Sequence, residues 1–276
     1  MALFSPLKTA DAQDQISSTP FAGTVHVFLI AGQSNANGHA PATDLPPSLQ
    51  SPQADVLYYY DTLKSETPPT LGPLAPRPTF GPEITFGRSM ADFYAGSGDK
   101  VAILQYAVGG SNLYAHWRPA ATPDKQGPLL KAFLKTVADG MAALKQANPN
   151  AKIKIEGLLW MQGEADAAAG PPDTTEYASN LAAIIQVFRR SFGDHLPVLV
   201  GRLSSKQSSL ATHLEEIRQA QESVTAIDSD SKLIDTDSCE TLPDHLHFNA
   251  QGQQALGKLF ATTMQAILSA VSSSTQ

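Results

Sequence analysis

The chain has 276 residues, of which 42% are hydrophobic and 16% are charged, so it has enough apolar side chains for a sizeable globular core. Its formal net charge of −7 argues against nucleic acid or an anionic membrane surface as the main partner. The single cysteine, Cys239, excludes an intrachain disulfide and a cysteine-rich zinc site, and we expect it to be a small buried residue.

The first residues of the chain do not have the composition of a folded element. Residues 1–22 carry one basic side chain, Lys8, and contain no apolar run of signal-peptide or membrane-span length. The sequence therefore predicts a flexible lead over residues 1–22 and one domain over residues 23–276. Without a signal peptide in the given chain, we expect a cytoplasmic protein or a secreted mature form whose signal has been removed.

In the first half of the chain, apolar and β-branched runs predict buried strands at residues 24–31, 55–60 and 101–108. The first run leads into Gly32 and the third is followed by Gly109-Gly110, a pattern typical of strands that end in tight turns. Residues 65–82 are rich in proline and glycine, which predicts a long surface loop beside the site. Apolar residues at helical spacing predict an amphipathic helix over residues 129–144.

In the second half, further strands are predicted at residues 152–161, 196–203 and 233–235, with helices over residues 181–192 and 256–271. Strands and helices thus alternate along the chain, which is typical of a parallel sheet with crossover helices on both faces. The predicted fold is a single three-layer α/β/α domain.

Polar residues follow several of the predicted strands where each strand ends. Ser34, Gly109-Gly110 and the segment 162–164 each come directly after a strand. Because ligands bind at the carboxyl ends of the strands in open parallel sheets, we expect these residues to share one site.

Ser34, Asp244 and His247 are the candidate catalytic residues. A serine hydroxyl becomes a good nucleophile when an imidazole accepts its proton, and the imidazole needs a carboxylate to fix its tautomer. The unperturbed pKa of histidine, about 6.5, suits a general base near neutral pH.

Each of these residues also has a structural interpretation. Ser34 would serve equally as a helix N-cap, and Ser111 is a rival nucleophile. His245 and His247 form a His-x-His pair of the kind found in metal sites, although no other histidine has ligand-like spacing. Asp244, after Pro243, has the alternative role of a turn residue.

Other residues are candidates for oxyanion and substrate binding. Backbone N–H groups of Gly109 or Gly110 and the side-chain amide of Gln162 are candidate oxyanion donors, although the glycines also suit a turn with positive φ. Glu164 is either a supporting carboxylate or a rival partner for the base. Trp117 is a candidate for stacking on a sugar ring, whereas Trp160 is predicted to be a core residue.

Five segments in this order resemble the SGNH hydrolase superfamily, in particular its sialate O-acetylesterase and carbohydrate esterase family 6 (acetylxylan esterase) branch. The segments are Gly32-Gln33-Ser34-Asn35-Ala36-x-Gly38, Phe80-Gly81-Pro82-Glu83, Gly109-Gly110-Ser111, Trp160-Met161-Gln162-Gly163-Glu164-Ala165-Asp166 and Asp244-x-x-His247. The resemblance runs from about Thr24 to Ala270. The first and fourth segments are specific in combination.

The resemblance implies a flavodoxin-like sheet of about five parallel strands and no metal or organic cofactor. It implies hydrolysis of O-acetyl esters on sugars through an acetyl-enzyme. Ser34 would be the nucleophile, His247 the general base and then acid, and Asp244 its orienting carboxylate. The backbone N–H of Ser34 would join one of the two glycines and Gln162 in the oxyanion hole.

The predicted function is therefore that of a serine esterase acting on acetylated carbohydrates, such as acetylxylan or acetylated sugars. The alternatives are an esterase of other specificity on the same fold (a short-chain lipase, a thioesterase or a peptidoglycan O-acetylesterase) and a catalytically inert sugar-binding module. The expected partner is an acetylated carbohydrate, with no nucleic acid and no membrane, and the sequence predicts no oligomeric state.

Overall fold

A computed structural model describes residues 21–63, 67–210 and 212–274, so residues 1–20 of the predicted lead lie outside the described residues. The strands are β1 (Thr24–Gly32), β2 (Ala40–Pro41), β3 (Gln53–Asp61), β4 (Gly72–Leu74), β5 (Thr79–Phe80), β6 (Lys100–Ala107), β7 (Lys152–Met161), β8 (Val198–Gly201) and β9 (Ser231–Ile234). The helices are α1 (Ser34–Asn37), α2 (Pro47–Gln50), α3 (Glu83–Tyr94), α4 (Pro128–Ala147), α5 (Glu164–Ala169), α6 (Asp173–Phe192), α7 (Leu214–Ile227) and α8 (Ala250–Ser274).

Seven strands form one sheet in the order β4-β3-β6-β1-β7-β8-β9, and all neighbours are parallel except the β3–β4 pair at one edge. Within it, β6-β1-β7-β8-β9 has the strand order 2-1-3-4-5 of flavodoxin-like sheets. The α/β fold with a mostly parallel sheet flanked by helices is therefore confirmed. Since the strand order reverses beside β1, the crevice for a ligand lies at the carboxyl ends of β1 and its two neighbours.

The hydrophobic core lies between the sheet and two groups of helices. Phe28 in β1 contacts Phe86 in α3, with ring centroids 5.2 Å apart. Trp160 in β7 contacts Phe188 in α6 at 5.7 Å. Residues of β1, β6 and β7 are almost entirely buried along their second halves, as expected for central strands covered on both faces. The ends of these strands are consequently rigid supports for the residues that follow them.

The region 65–82, predicted as a surface loop, differs from that expectation. It contains β4, which pairs antiparallel with β3, and β5, which pairs with β2. Pro73 in β4 is tolerated because β4 is an edge strand, where an N–H donor is not required. Residues 65 and 66 lie outside the described residues. Two strands thus extend the five-stranded core of the sheet: β3, which is a sixth parallel strand, and β4, which is the antiparallel edge strand.

The helices agree with the predicted apolar spacing. The predicted helices over residues 129–144, 181–192 and 256–271 are the longer helices α4, α6 and α8. The last residue of the third stripe, Val271, is 56% exposed, because α8 extends beyond the core there. None of the helices within the described ranges is long and apolar enough to cross a lipid bilayer.

Candidate active site

Two clefts meet at the carboxyl ends of the central strands, and Ser34, Gly110 and His247 line both. The first, the polar cleft, has a volume of about 320 Å³ and is also lined by Asn37, His39, Thr62, Val108 and Gly109. The second, the apolar cleft, has a volume of about 440 Å³ and is also lined by Gln33, Glu164, Ala165, Ala168, Leu210 and Leu246. The structure thus brings the serine and the histidine from opposite ends of the chain to one junction.

Ser34 is the first residue of α1 and follows a sharp turn at the end of β1. Gly32 has a φ of 142°, and a Cβ at this position would lie only 2.0 Å from the carbonyl oxygen of Met161. Gln33 then donates its backbone N–H to the same carbonyl at 3.0 Å. Only glycine permits this approach of β1 to the end of β7. The turn therefore places the Ser34 hydroxyl at the point where the strand order reverses.

His247 is held by Asp244 of the same loop. The carboxylate Oδ2 of Asp244 lies 2.6 Å from His247 Nδ1, and Oδ1 accepts the backbone N–H groups of Leu246 and His247 at 2.9 and 3.0 Å. Burial raises the pKa of Asp244, but these hydrogen bonds outweigh burial, and the net pKa lies below the ordinary value. The carboxylate is thus ionised at neutral pH and leaves the Nε2 side of the imidazole for the cleft.

The turn between the two residues has an unusual backbone conformation. His245 has a φ of 52°, in the left-handed region that histidine adopts more readily than most residues. Its carbonyl oxygen accepts hydrogen bonds from the Ser209 hydroxyl at 2.9 Å and from the Ser209 backbone N–H at 3.4 Å. This turn folds Asp244 back onto the ring of His247. No group of three or more His, Cys, Asp or Glu side chains that could hold a metal ion occurs within the described residues.

His39, for which the sequence predicts no role, contacts the same imidazole. Its ring stacks on that of His247 with centroids 4.3 Å apart and an angle of 19° between the planes. Burial lowers the pKa of His39 below 6.5, and His247 and Arg77 lower it further, against an opposing effect of Asp244. A neutral ring therefore faces His247. No local sequence pattern could have identified this contact, because it is made across the cleft.

The glycine pair lies beside the serine as expected. A Cβ at Gly109 would be 3.6 Å from Ser34 Cβ, and Gly110 has a φ of 70°, which favours glycine. The backbone N–H groups of Ser34, Gly109 and Gly110 make no hydrogen bond to any part of the chain that the structure describes. They are therefore free to donate to a ligand.

The expectation that Gln162 donates to an oxyanion is wrong for this arrangement. Gln162 is fully buried and lines neither cleft. Its Nε2 lies 3.1 Å from Gln33 Oε1, 3.0 Å from the carbonyl oxygen of Ser111 and 2.5 Å from Asp166 Oδ2. A side-chain amide has two hydrogens to donate, and three acceptors already surround the Gln162 Nε2 atom. Gln162 is therefore a structural connection beneath the site.

Gln33 and Asp166, to which the sequence analysis gave no role, complete this connection. Gln33 Oε1 also accepts the backbone N–H groups of Gly163 and Ala165 at 3.3 and 3.1 Å. Asp166 accepts the backbone N–H of Leu113, and burial raises its pKa to about 6. The turn after β7 is thereby tied to the segments after β1 and β6. Gln33 lies in the first of the five segments that resemble the SGNH hydrolases, and Asp166 lies in the fourth. Membership of these segments is the one feature of the sequence that indicates a role for either residue.

Glu164 is buried, and its hydrogen bonds go to groups other than the imidazole of His247. Its Oε1 accepts hydrogen bonds from Asn35 Nδ2 at 2.6 Å and from Gln207 Nε2 at 3.4 Å. Burial raises its pKa, and those two donors lower it by less. Glu164 makes no hydrogen bond to His247. Asp244 is therefore the carboxylate that contacts the imidazole of His247.

Trp117 does not line the site, so the expectation that it stacks on a sugar is wrong. The side chain is fully buried, and its Nε1 donates to Ser111 Oγ at 2.8 Å. Its ring packs edge-on against Trp160, with centroids 5.2 Å apart, in the core where Trp160 was expected. Ser111 in turn donates to the Val108 carbonyl at 2.7 Å. Ser111 is therefore engaged in the turn and is a poor candidate for the nucleophile.

This arrangement has the parts needed for acyl transfer. A serine hydroxyl, an imidazole held by a carboxylate and free backbone N–H groups converge at one junction. Ser34 Oγ and His247 are not hydrogen-bonded to each other among the described residues. In proteins without substrate such bonds are often long, and they shorten when substrate binds.

Comparison with known proteins gives one family and several structures. The family model described as "Carbohydrate esterase, sialic acid-specific acetylesterase" matches residues 24–266. A search of curated proteins found no match. Similar solved structures include a protein from Arabidopsis thaliana (TM-score 0.69, 17% identity, covering 90% of this chain and 99% of that chain) and NanS (0.66, 16%, 91% and 98%). A third is XAC1771, a carbohydrate acetylesterase from Xanthomonas citri (0.60, 17%, 86% and 54%). At these identities the three structures show a shared fold.

Proposed function

Because this chain belongs to the carbohydrate esterase, sialic acid-specific acetylesterase family, and is thus a carboxylic ester hydrolase, we propose that Ser34, His247 and Asp244 are its catalytic triad. The observation that carries the proposal is the 2.6 Å contact between Asp244 and His247 in the clefts that Ser34 lines. A carboxylate on Nδ1 fixes the tautomer in which Nε2 accepts a proton.

In the proposed mechanism, His247 removes the proton of Ser34 as the hydroxyl attacks the acetyl carbonyl. The backbone N–H groups of Ser34, Gly109 and Gly110 donate to the oxyanion, each lowering the barrier by roughly 3 kcal/mol. His247 then gives its proton to the departing sugar oxygen. Water, activated by the same imidazole, hydrolyses the acetyl-enzyme and releases acetate.

The linings of the two clefts support an orientation for the ester. Asn37, His39 and Thr62 give the polar cleft donors and acceptors that suit the hydroxyl groups of a sugar. Leu210 and Leu246 give the apolar cleft a surface that suits an acyl chain. We therefore place the sugar in the polar cleft and the acetyl methyl group toward the apolar cleft.

The same clefts support a second specificity. A volume of about 440 Å³ in the apolar cleft leaves room beyond an acetyl group, so short-chain acyl esters are a second candidate substrate class. Among acetylated sugars we include acetylxylan, acetylated sialic acid and acetylated peptidoglycan. Acetate release from these three, and turnover of p-nitrophenyl acetate against hexanoate, separates the possibilities. Faster turnover of p-nitrophenyl hexanoate than of p-nitrophenyl acetate, with no acetate released from the three acetylated sugars, would favour the short-chain esterase.

The catalytic assignment is tested by substitution. We expect Ser34→Ala and His247→Ala to lower acetate release from p-nitrophenyl acetate by at least about 10⁴-fold, because the nucleophile or its base is removed. An organophosphonate should label the wild-type protein at Ser34. Circular dichroism and the melting temperature establish that the variants fold.

Ser111→Ala is the matched control. It leaves Trp117 Nε1 without its acceptor, which should cost about 1–3 kcal/mol of stability, but it should retain turnover. Normal turnover by Ser34→Ala, or loss of labelling in Ser111→Ala alone, would overturn the assignment.

A further inference from the structure

Asn35, the residue after Ser34, contacts the chain on both sides of His247. Its Nδ2 donates to the carbonyl oxygen of Leu246 at 3.2 Å, and its Oδ1 accepts the backbone N–H of Phe248 at 2.9 Å. The side chain is fully buried. One carboxamide, attached directly to the segment that carries Ser34, therefore holds the two peptide groups that flank the histidine.

Glu164 fixes the orientation of this carboxamide. Its Oε1 accepts the second hydrogen of Asn35 Nδ2 at 2.6 Å, while Phe248 supplies the donor for Oδ1. A flipped carboxamide would face an oxygen acceptor with oxygen and an N–H with nitrogen, so only one orientation satisfies both partners. Gln207 Nε2 adds a parallel hydrogen bond to the Leu246 carbonyl at 2.9 Å.

We propose that Asn35 is a positioning residue that sets the distance between Ser34 and His247, with Glu164 holding its carboxamide in the required orientation. The inference rests on the proposed function, since it takes these two residues as the reacting pair. Asp244 fixes which way the imidazole faces, whereas Asn35 fixes where the backbone of His247 lies relative to Ser34. A misplacement of about 1 Å at a reacting pair can cost on the order of 10²-fold in rate.

The test begins with Asn35→Ala. We expect kcat to fall about 10²-fold with KM nearly unchanged, because the substrate clefts are intact and only the reacting pair is displaced. Labelling of Ser34 by an organophosphonate should slow by a similar factor. Asn148→Ala is the matched control, because it also removes a buried asparagine that donates to a backbone carbonyl, at the end of α4. It should lower stability without changing kcat.

A second pair of variants tests the role of Glu164. Asn35→Asp places two carboxyl groups where one 2.6 Å hydrogen bond existed, and it should be at least as slow as Asn35→Ala. Adding Glu164→Gln supplies an amide donor to the introduced carboxylate, so the double variant should recover at least about tenfold in kcat over Asn35→Asp. Recovery of this kind would not arise from a general loss of packing.

The outcomes separate this inference from the proposed function. Turnover by Ser34→Ala would defeat the proposed function itself. If Ser34→Ala is inactive but Asn35→Ala keeps kcat within about twofold of wild type, the positioning role is wrong. It is equally wrong if Asn148→Ala loses as much kcat as Asn35→Ala, or if the double variant recovers nothing.

Discussion

Asp244 and Glu164 are two carboxylates close to the proposed base, and their surroundings differ. Asp244 is partly exposed and contacts the imidazole, whereas Glu164 is buried and contacts Asn35 and Gln207. A group that fixes the tautomer of the base must touch the ring, so only Asp244 meets this requirement. From sequence, both residues are open for the role, because spacing along the chain does not give contact across the fold.

The two residues should therefore respond differently to loss of charge. We expect Asp244→Asn to lower kcat by about 10²–10⁴-fold, since an amide on Nδ1 favours the wrong tautomer of His247. Glu164→Gln keeps an oxygen acceptor for Asn35 and should cost less than about tenfold. Steady-state kinetics on p-nitrophenyl acetate give the comparison. The opposite order would make Glu164 the residue that orients the base.

At the scale of the elements, the carboxylate of Asp237 connects its own segment, after β9, to α7 and to the segment after β8. Its carboxylate oxygens lie 2.9 and 3.1 Å from the guanidinium of Arg218 in α7, and 3.2 Å from that of Arg202, which follows β8. The backbone N–H of Ser205 donates to it at 2.7 Å. Burial raises the pKa of Asp237, but the hydrogen bonds from Arg218 and Ser205, with the charge of Arg218, outweigh burial and lower the pKa to about 2.

This pKa predicts how stability depends on pH. The folded-state pKa of about 2 lies below the ordinary value of 3.8, so between these values the unfolded chain binds a proton that the folded chain does not. The stabilisation is complete above about pH 3.8 and disappears as the pH falls through 2. We expect Asp237→Asn to lower the free energy of unfolding at pH 7, by an amount that shrinks toward pH 3.

Urea unfolding of both proteins at pH 7, 5 and 3 measures this difference. Asp139→Asn serves as the control, because Asp139 forms a solvent-exposed ion pair with Lys135, and exposed pairs contribute little to stability. An Asp237→Asn effect of the same size at every pH would contradict the ionic origin of the stabilisation.

For the molecule as a whole, Cys239 is a built-in reporter of unfolding. It is the one cysteine of the chain, it is fully buried as the sequence analysis expected, and burial raises the pKa of its thiol to about 12. The thiolate is the reactive form, so the native thiol should be inert.

The division into a lead over residues 1–22 and one domain over residues 23–276 stays a prediction.

We expect the native protein to react with Ellman's reagent only as fast as it unfolds, and the unfolded protein to react at once with one thiol per chain. Absorbance at increasing urea concentration follows the reaction. Cys239→Ala should show none. Rapid reaction of one equivalent in native buffer would mean that the region around Cys239 opens without global unfolding.

The amino-acid sequence by itself determined the local features of this protein. The apolar runs that became β1, β6 and β7, the glycine that lets Ser34 follow β1 and the spacing of Asp244 and His247 can all be read from neighbouring residues. The strands follow from the hydrophobic pattern of neighbouring residues. The pairing of Asp244 with His247 follows from their separation of three residues within one loop. The carboxyl ends of parallel strands then predicted where the site lies.

Only the tertiary structure decided which polar side chains face the clefts. Gln162 and Trp117 carry suitable groups, but both are buried and already hydrogen-bonded. His39 contacts the ring of His247 across the fold, and Asn35 contacts the peptide groups on either side of that residue. The contacts of His39 and Asn35 join residues that are distant in the chain. A side chain whose donors already bind acceptors in the protein interior cannot also donate to a substrate. Because a sequence gives each side chain its chemistry but not its partner, these assignments required the packed molecule.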